Sequence, residues 1–251
     1  MIEEKFVSGH SLIHQLDPKI RILAASVLSV STALCDHVSI TWFYLGIAIF
    51  LIVLSQLSPV EVVKRLKPLF FFLLMIWIIL PLTFEGEILY QYHLLKITGP
   101  GVILCLKITI KSIAILLIFT ALIATMTVAS LGNGFHRLNV PDKLVFLLLM
   151  CYRYIAVIEE EYKRLLRAAK FRGFQPGTNL HSYKTFAYLA GMLFVRASLR
   201  AERVHQAMLC RGFNRKFHTL DVYPSNRLNS IFLIGVFTAS LSLVIFEIIW
   251  I

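Results

Sequence analysis

Two short strings in this 251-residue chain share a register: Ala168-x-x-x-Arg172-Gly173-Phe174 and Ala207-x-x-x-Arg211-Gly212-Phe213. Arginine offers a planar, permanently charged guanidinium that pairs with carboxylates through two parallel hydrogen bonds. Glycine accepts the left-handed backbone that ends a helix, and a cation in a last turn meets the negative end of the helix dipole. Termination accounts for the Arg and the Gly separately. It does not account for Ala and Phe recurring in step with them. The chemistry such a pair offers is docking: two similar helix tips suit two similar acidic grooves, as on a dimeric soluble partner.

Other candidate groups carry less. His10 and His14 have i,i+4 spacing, which would place two imidazoles on one helical face, but only Asp17 stands near as a third ligand. We read the pair as structural and expect no metal site. Cys35, Cys105, Cys151 and Cys210 form no C-x-x-C pair and read as small buried hydrophobes. No G-x-x-x-x-G-K-[ST] string occurs, so the chain has no recognisable P-loop. Gly132-Asn133-Gly134 lacks the rest of a phosphate-binding pattern and reads as the end of a span.

The elements that must position these groups follow from composition. Apolar residues make up 58% of the chain and charged residues 16%, against roughly 45–50% and 25% in soluble domains. Mean hydropathy is +0.76. A disordered, collagen-like or disulfide-framework chain is excluded, and the solvent for much of the chain is a bilayer. The N-terminus has no basic stretch leading into an apolar core, so no cleaved signal peptide is expected. Segments 38–57, 69–84, 112–130 and 230–251 have the length and apolarity of spans. Segment 22–35 is shorter and crosses only if Arg21 snorkels and Asp36 and His37 sit at the opposite interface.

The positive-inside rule tests this count. With the N-terminus cytoplasmic, segments 1–21, 58–68 and 131–229 hold 3, 3 and 16 of the 25 Lys+Arg. The outside links hold Lys96, Lys107 and Lys111, the last two reading as snorkelling residues. Five spans, N-terminus in, fit this bias. The net charge of +11 therefore lies almost wholly in one block of 99 residues, 16 basic against 6 acidic, and not on a nucleic-acid-binding surface. The expected organisation is 1–130 as four spans, 131–229 as a cytoplasmic module and 230–251 as the last span.

Within the module, Asp142 after Pro141 reads as a helix N-cap. Leu144, Leu148, Tyr152, Ile155, Ile158, Tyr162 and Leu165 recur every three or four residues, predicting an amphipathic helix over 142–172. A second is predicted over 182–211, with Phe186, Leu193, Ala197, Val204 and Met208 on its apolar face. Arg196, Arg200, Arg203 and Arg211 form a basic stripe down another side. Arg153, between Tyr152 and Tyr154, reads as a structural residue on the apolar side of the first helix, pairing with a carboxylate or a helix end.

On these residues the chain resembles the transmembrane (T) component of energy-coupling-factor transporters, of the cobalt/nickel CbiQ type. The resemblance spans essentially the whole chain. It includes the opening Ser11-Leu12-Ile13-His14-Gln15-Leu16-Asp17-Pro18-Lys19, where Asp17 and Pro18 match the branch's "HxLDPR" start. It also includes Leu138-Asn139-Val140-Pro141, Tyr152-Arg153-Tyr154 and the two Arg-Gly-Phe helix ends. Phe171 and Cys210 stand where the family's Ala-Arg-Gly motif has Ala. The resemblance implies an all-α membrane protein with about five transmembrane helices and two long cytoplasmic coupling helices. It implies a bacterial or archaeal cell membrane location and a non-catalytic role in an ATP-driven importer of cobalt or nickel. The implied partners are two cytoplasmic ATPases that bind the ATP, docked at Ala168, Arg172, Gly173, Phe174, Ala207, Arg211, Gly212 and Phe213. A separate membrane subunit would bind the metal.

Two other classes compete. Glu159-Glu160-x-x-x-Arg164 resembles the first motif of a membrane-embedded protease family. That family also needs F-x-x-x-H and H-x-x-x-[ND] downstream, and neither occurs after Arg164. Helical i,i+4 pairing with Lys163 and Arg164 explains the string. The second is a membrane scaffold whose Arg196/Arg200/Arg203 stripe binds anionic lipid.

Overall fold

The computed structural model describes residues 11–84, 88–92, 95–213 and 227–249. They fall into two compact units: one drawn from residues before 135 together with the C-terminal helix, the other from 135–213.

The first unit holds helices α1 (Pro18–Leu34), α2 (Val38–Ser55), α3 (Pro59–Thr83), α4 (Gly99–Leu122) and α8 (Arg227–Ile249), with α5 (Val128–Arg137) leading out of it. A small antiparallel hairpin, β1 (Ile88–Tyr92) with β2 (Leu95–Thr98), joins α3 to α4. Helices α2, α3, α4 and α8 are long and apolar enough to cross a membrane. The chain is thus an all-α membrane protein. α1, at 17 residues, is shorter than these four.

α4 is central and packs against α1, α2 and α3, while α8 packs on α1. The core between them is rich in small residues: Ala24, Ala25, Ala48, Ala114 and Ala121 are fully buried around Leu28, Tyr44, Ile118 and Leu122. Small side chains let helix backbones approach closely where lipid removes the hydrophobic drive between helices. The outward faces carry Trp42, Phe43, Phe50, Phe70, Phe71 and Phe72, all exposed in the chain and suited to lipid.

The helix starts follow local chemistry. Asp17 caps α1, its carboxylate accepting from the Lys19 N–H at 3.0 Å, with Pro18 at the first helical position. The opening Ser11–Lys19 motif is therefore a turn and helix start, tied to α8 where the Asp17 N–H donates to Asn229 at 3.4 Å. His14 is bonded to the Ser11 hydroxyl at 2.7 Å; His10 lies outside the described residues.

The structure departs from several sequence expectations. α4 begins at Gly99 and ends at Leu122, not at 112 and 130, because the hairpin takes up only 88–98 and the helix then continues through Lys107 and Lys111. Lys111 donates to the Ala33 carbonyl at 2.9 Å and lies 3.8 Å from the exposed Asp36, fastening α4 to the end of α1. Arg21 does not snorkel. It is 3% exposed and donates to the Leu122 carbonyl at 3.0 Å and to the Thr125 hydroxyl. It thereby satisfies the Leu122 carbonyl, one of those that the end of α4 leaves without a helical partner, and adds a donor to the Thr125 hydroxyl, which itself donates to the Ala121 carbonyl at 2.8 Å. Gly132-Asn133-Gly134 does not end a span but lies inside α5. A Cβ on Gly134 would come within 2.6 Å of Ile22 Cδ1 and 3.2 Å of Pro18, so this glycine is required by close approach to α1.

At the other end of the unit, Glu247 of α8 is buried and accepts from the backbone N–H of Asp36. The N-cap residue of α2, His37, has no side-chain capping bond of its own. Glu247 thus places a carboxylate by the first turn of α2, where the dipole favours it.

Candidate functional site

The second unit is a hairpin of α6 (Asp142–Phe171) and α7 (Leu180–Cys210). Pro141 takes the N-cap position of α6 and its carbonyl accepts from Leu144 and Val145. Asp142 is then the first helical residue rather than the cap, and its carboxylate lies 3.2 Å from His136 Nε2. α7 begins two residues before the expected Ser182. Asn179 caps it by accepting from the Ser182 N–H at 2.8 Å, and the Ser182 hydroxyl in turn accepts from the Gly177 N–H at 3.0 Å.

Both helices end in the same hydrogen-bond pattern. At α6, Phe174 N–H donates to Ala169 and Gly173 N–H to Lys170; at α7, Phe213 N–H donates to Met208 and Gly212 N–H to Leu209. These are the paired bonds of a Schellman motif, with Arg at the C-cap, Gly left-handed just beyond and Phe next. Gly173 and Gly212 have φ of +84° and +76°. Capping therefore explains the recurring Phe as well as the Gly. Phe174 is buried against Phe186 and His181 at ring separations of 5.5 and 6.3 Å, and Phe213 packs on Phe146 at 5.3 Å. Both rings anchor the hairpin to itself.

What capping leaves over is on the surface. Arg172 and Arg211 are exposed, and so are Ala168 and Ala207, each one turn before its Arg on the same face. Each tip thus shows a guanidinium beside a small residue, which leaves room for a partner's surface. Phe171, just before Arg172, is 91% exposed, and its counterpart Cys210 is exposed too. Because α7 has 31 residues, the tips stand at opposite ends of a hairpin about 46 Å long at 1.5 Å per residue.

No Cβ contact crowds Gly173 or Gly212, so only the backbone opposes a side chain there. Gly173→Ala is expected to cost about 1 kcal/mol of local stability, raising exchange of the Phe174 amide about fivefold. Gly173→Asn should cost less, since Asn tolerates the left-handed region. Hydrogen exchange read by mass spectrometry over 168–176 checks this; equal protection in all three proteins would contradict it.

Polar groups inside the hairpin are mostly paired with one another. Glu159 receives Lys163 at 2.5 Å and Glu160 lies 3.9 Å from Arg164, both i,i+4 pairs on the exposed side. Glu161 differs: its side chain is 13% exposed and faces α7. Arg196 donates to it, with Arg200 at 3.7 Å and Arg164 at 4.0 Å. Arg203 Nε donates to the Leu199 carbonyl of its own helix at 3.3 Å. Arg196 and Arg200 of the stripe are thus engaged with α6, while Arg203 bonds its own helix and stays exposed. Arg153 is exposed and makes no ion pair among the described residues, because it lies off the face that carries Met150, Tyr154 and Ile158 toward α7.

Glu161 is the residue that sequence reasoning missed. The signal was available: it falls in the Tyr154, Ile158, Leu165 register, the apolar face, where a charge needs a partner. The Arg196 hydrogen bond is the largest effect on its carboxyl; desolvation, the next largest, opposes it, and the charges of Arg196, Arg164 and Arg200 help to hold the carboxyl below the usual carboxylate range. A depressed carboxyl adds stability above its unfolded pKa and loses it as the pH falls through the folded value. The stability difference between wild type and Glu161→Gln is therefore expected to hold steady from neutral pH downward and to fade only below about pH 4. Thermal unfolding in detergent across that range checks the sign; a difference that grows on acidification would refute it.

The hairpin contains an apolar groove of about 600 Å³ between α6 and α7, with Met150, Tyr154 and Ile158 facing Leu193, Ala197 and Val204. A multi-helix membrane unit with a hairpin whose two capped tips carry exposed arginines is the architecture that the sequence resemblance implied. The CbiQ family profile, described as cobalt transport protein, matches residues 9–220. The chain belongs to this family. Among its curated relatives is the energy-coupling factor transporter transmembrane protein EcfT of Bacillus subtilis (strain 168), 28% identical over 225 residues, covering 85% of this chain and 84% of the relative. EcfT of Acidaminococcus fermentans is 25% identical over 248 residues, covering 93% and 92%. EcfT of Macrococcus caseolyticus is 28% identical over 258 residues, covering 94% and 95%. This CbiQ-family protein is thus a multi-pass membrane component of the energy-coupling-factor class.

Proposed function

We propose that this protein is the coupling subunit of an ATP-driven importer, held to two cytoplasmic ATPase subunits by the Arg172 and Arg211 tips and working with a separate substrate-binding membrane subunit. The observation that carries this reading is the pair of exposed guanidiniums on rigidly capped helix ends at opposite ends of one hairpin. Each guanidinium suits a carboxylate-lined groove, and the small residues Ala168 and Ala207 leave room for its wall. The relatives' printed name, a transporter transmembrane protein, supports it. The Lys+Arg distribution supports a cytoplasmic N-terminus and a cytoplasmic hairpin.

The mechanism is a lever. ATP binding and hydrolysis occur on the partner subunits, and movement between them displaces one tip relative to the other. Two stiff helices pass that displacement on to the substrate-binding subunit. The chain itself is non-catalytic in this reading and binds no cofactor. The protease reading loses its motif to the exposed Glu159–Lys163 and Glu160–Arg164 pairs.

For the cargo we propose a transition-metal cation, cobalt or nickel. The family's description and the Ser11–Lys19 opening support it. The relatives' names print no substrate, and this supports a second reading in which one coupling module serves several substrate-binding subunits. Affinity purification of the tagged protein from its native host, in mild detergent with mass spectrometry, tests both. One ATPase pair with one metal-binding membrane subunit is the expected result. Several different small membrane subunits would favour the shared module, and no ATPase would overturn the coupling role. Purified alone, the chain is expected to show no ATP hydrolysis.

A further inference from the structure

The ion cluster at Glu161 is not used by docking, and it sits where the hairpin has little else to hold it. Along the groove, the stretch Phe146–Ile158 of α6 faces Leu193–Met208 of α7 across open volume instead of interlocked side chains. At the Arg172 end the helices are joined by the turn and by Phe174 on Phe186; at the Arg211 end Phe213 meets Phe146. Between these ends, Glu161 binds across to Arg196 and stands near Arg200. The two preceding glutamates, Glu159 and Glu160, are 53% and 74% exposed, while Glu161 is 13% exposed, so the helix turns this one carboxylate inward.

We infer that Glu161 is the positioning residue of the coupling hairpin, a mid-length tie to Arg196 and Arg200 that sets the crossing of α6 and α7 and hence the separation of the two arginine tips. This rests on the coupling function proposed above. Without interlocked packing along the groove, the crossing angle is fixed by point contacts, and an ion pair is a point contact with defined direction. Removing Glu161 also leaves Arg196 and Arg200 of α7 facing Arg164 of α6 with no carboxylate between them. At 1.5 Å per residue the arm from Arg196 to Arg211 is about 22 Å, so a rotation of ~15° about the tie moves that tip ~6 Å.

The test uses the purified transporter complex with spin labels at Gln175→Cys and Gln206→Cys, the exposed Cys151 and Cys210 being replaced by Ser. In Glu161→Gln the tip-to-tip distance should shift or broaden by about 5 Å. Substrate imported per ATP hydrolysed should fall about tenfold, the scale on which single residues alter coupling. The ATPase should still co-purify, since the tips are untouched. If Glu161→Gln does not fold, Arg196→Gln with Arg200→Gln removes the same tie from the exposed side and should give the same shift. An unchanged distance with unchanged import per ATP would overturn the inference. So would loss of the ATPase at unchanged distance, which would place Glu161 in docking. Failure of the coupling reading appears separately, as a wild-type protein that brings down no ATPase.

Discussion

Arg172→Glu combined with Arg211→Glu is expected to strip the ATPase from the purified complex and to reduce transport to background. Truncating one side of a desolvated charge pair at an interface costs roughly 2–5 kcal/mol, and reversal adds repulsion from the facing carboxylates. Taking about 3 kcal/mol per tip, either single reversal should weaken retention of the ATPase by about a hundredfold. The double reversal should be worse than either, because a molecule held at two points loses its effective-concentration advantage once one point fails. The fold should survive. Both guanidiniums are exposed, and the caps are made by backbone groups of Gly173, Phe174, Gly212 and Phe213. A carboxylate at the C-cap opposes the helix dipole by only about 0.5 kcal/mol. The measurement is ATPase recovered per mole of tagged protein, beside the melting temperature of the chain alone. Full ATPase recovery in the double variant would exclude the tips as the docking points.

The second large effect is expected within the membrane unit. Arg21→Ala should lower the melting temperature in detergent by about 10 °C, and Arg21→Lys by less. Arg21 lies between α1 and the end of α4, donating to the Leu122 carbonyl and the Thr125 hydroxyl. Leu122 and Thr125 are themselves buried, so truncation leaves the Leu122 carbonyl without its donor and a hole where the side chain was, while the Thr125 hydroxyl keeps its bond to the Ala121 carbonyl. Unsatisfied buried groups cost about 1–3 kcal/mol each, and a loss of ~3 kcal/mol in a chain of this size corresponds to about 6–12 °C. Lys can reach one acceptor but lacks the fork that serves two. A melting temperature within about 2 °C of wild type for Arg21→Ala would show that the end of α4 is satisfied some other way.

These predictions mark how much of the protein its sequence shows. Apolar length and composition place membrane helices in 38–57, in the later part of α3 and at the C-terminus, because lipid exposure demands long uninterrupted apolar runs. The ends of α6 and α7 are legible to within a residue or two from Gly173 and Gly212. A left-handed position at a helix end excludes nearly every other residue, so it leaves a mark in the chain itself. The Glu159–Lys163 and Glu160–Arg164 pairs are legible for the same kind of reason: helical spacing alone makes neighbours of them.

What remained illegible is every charge whose partner comes from a distant part of the chain. Lys107 and Lys111 read as residues flanking a span, which pushed the expected start of α4 to 112. Lys111 lies well inside α4, and Asp36 and the Ala33 carbonyl make its position tolerable. Arg21 read as a snorkelling residue because its acceptors, Leu122 and Thr125, are a hundred residues away. Arg196 and Arg200 read only as part of a basic stripe because nothing local reveals Glu161 across the hairpin. The solvent, the membrane helices and the capped tips are legible in the chain, since hydropathy, helical spacing and left-handed glycine are properties of neighbours along it. Which charges are buried and which are open to a partner is settled by packing in three dimensions. The energy of a charge depends on what surrounds it in space, and most of those surroundings come from elsewhere in the chain.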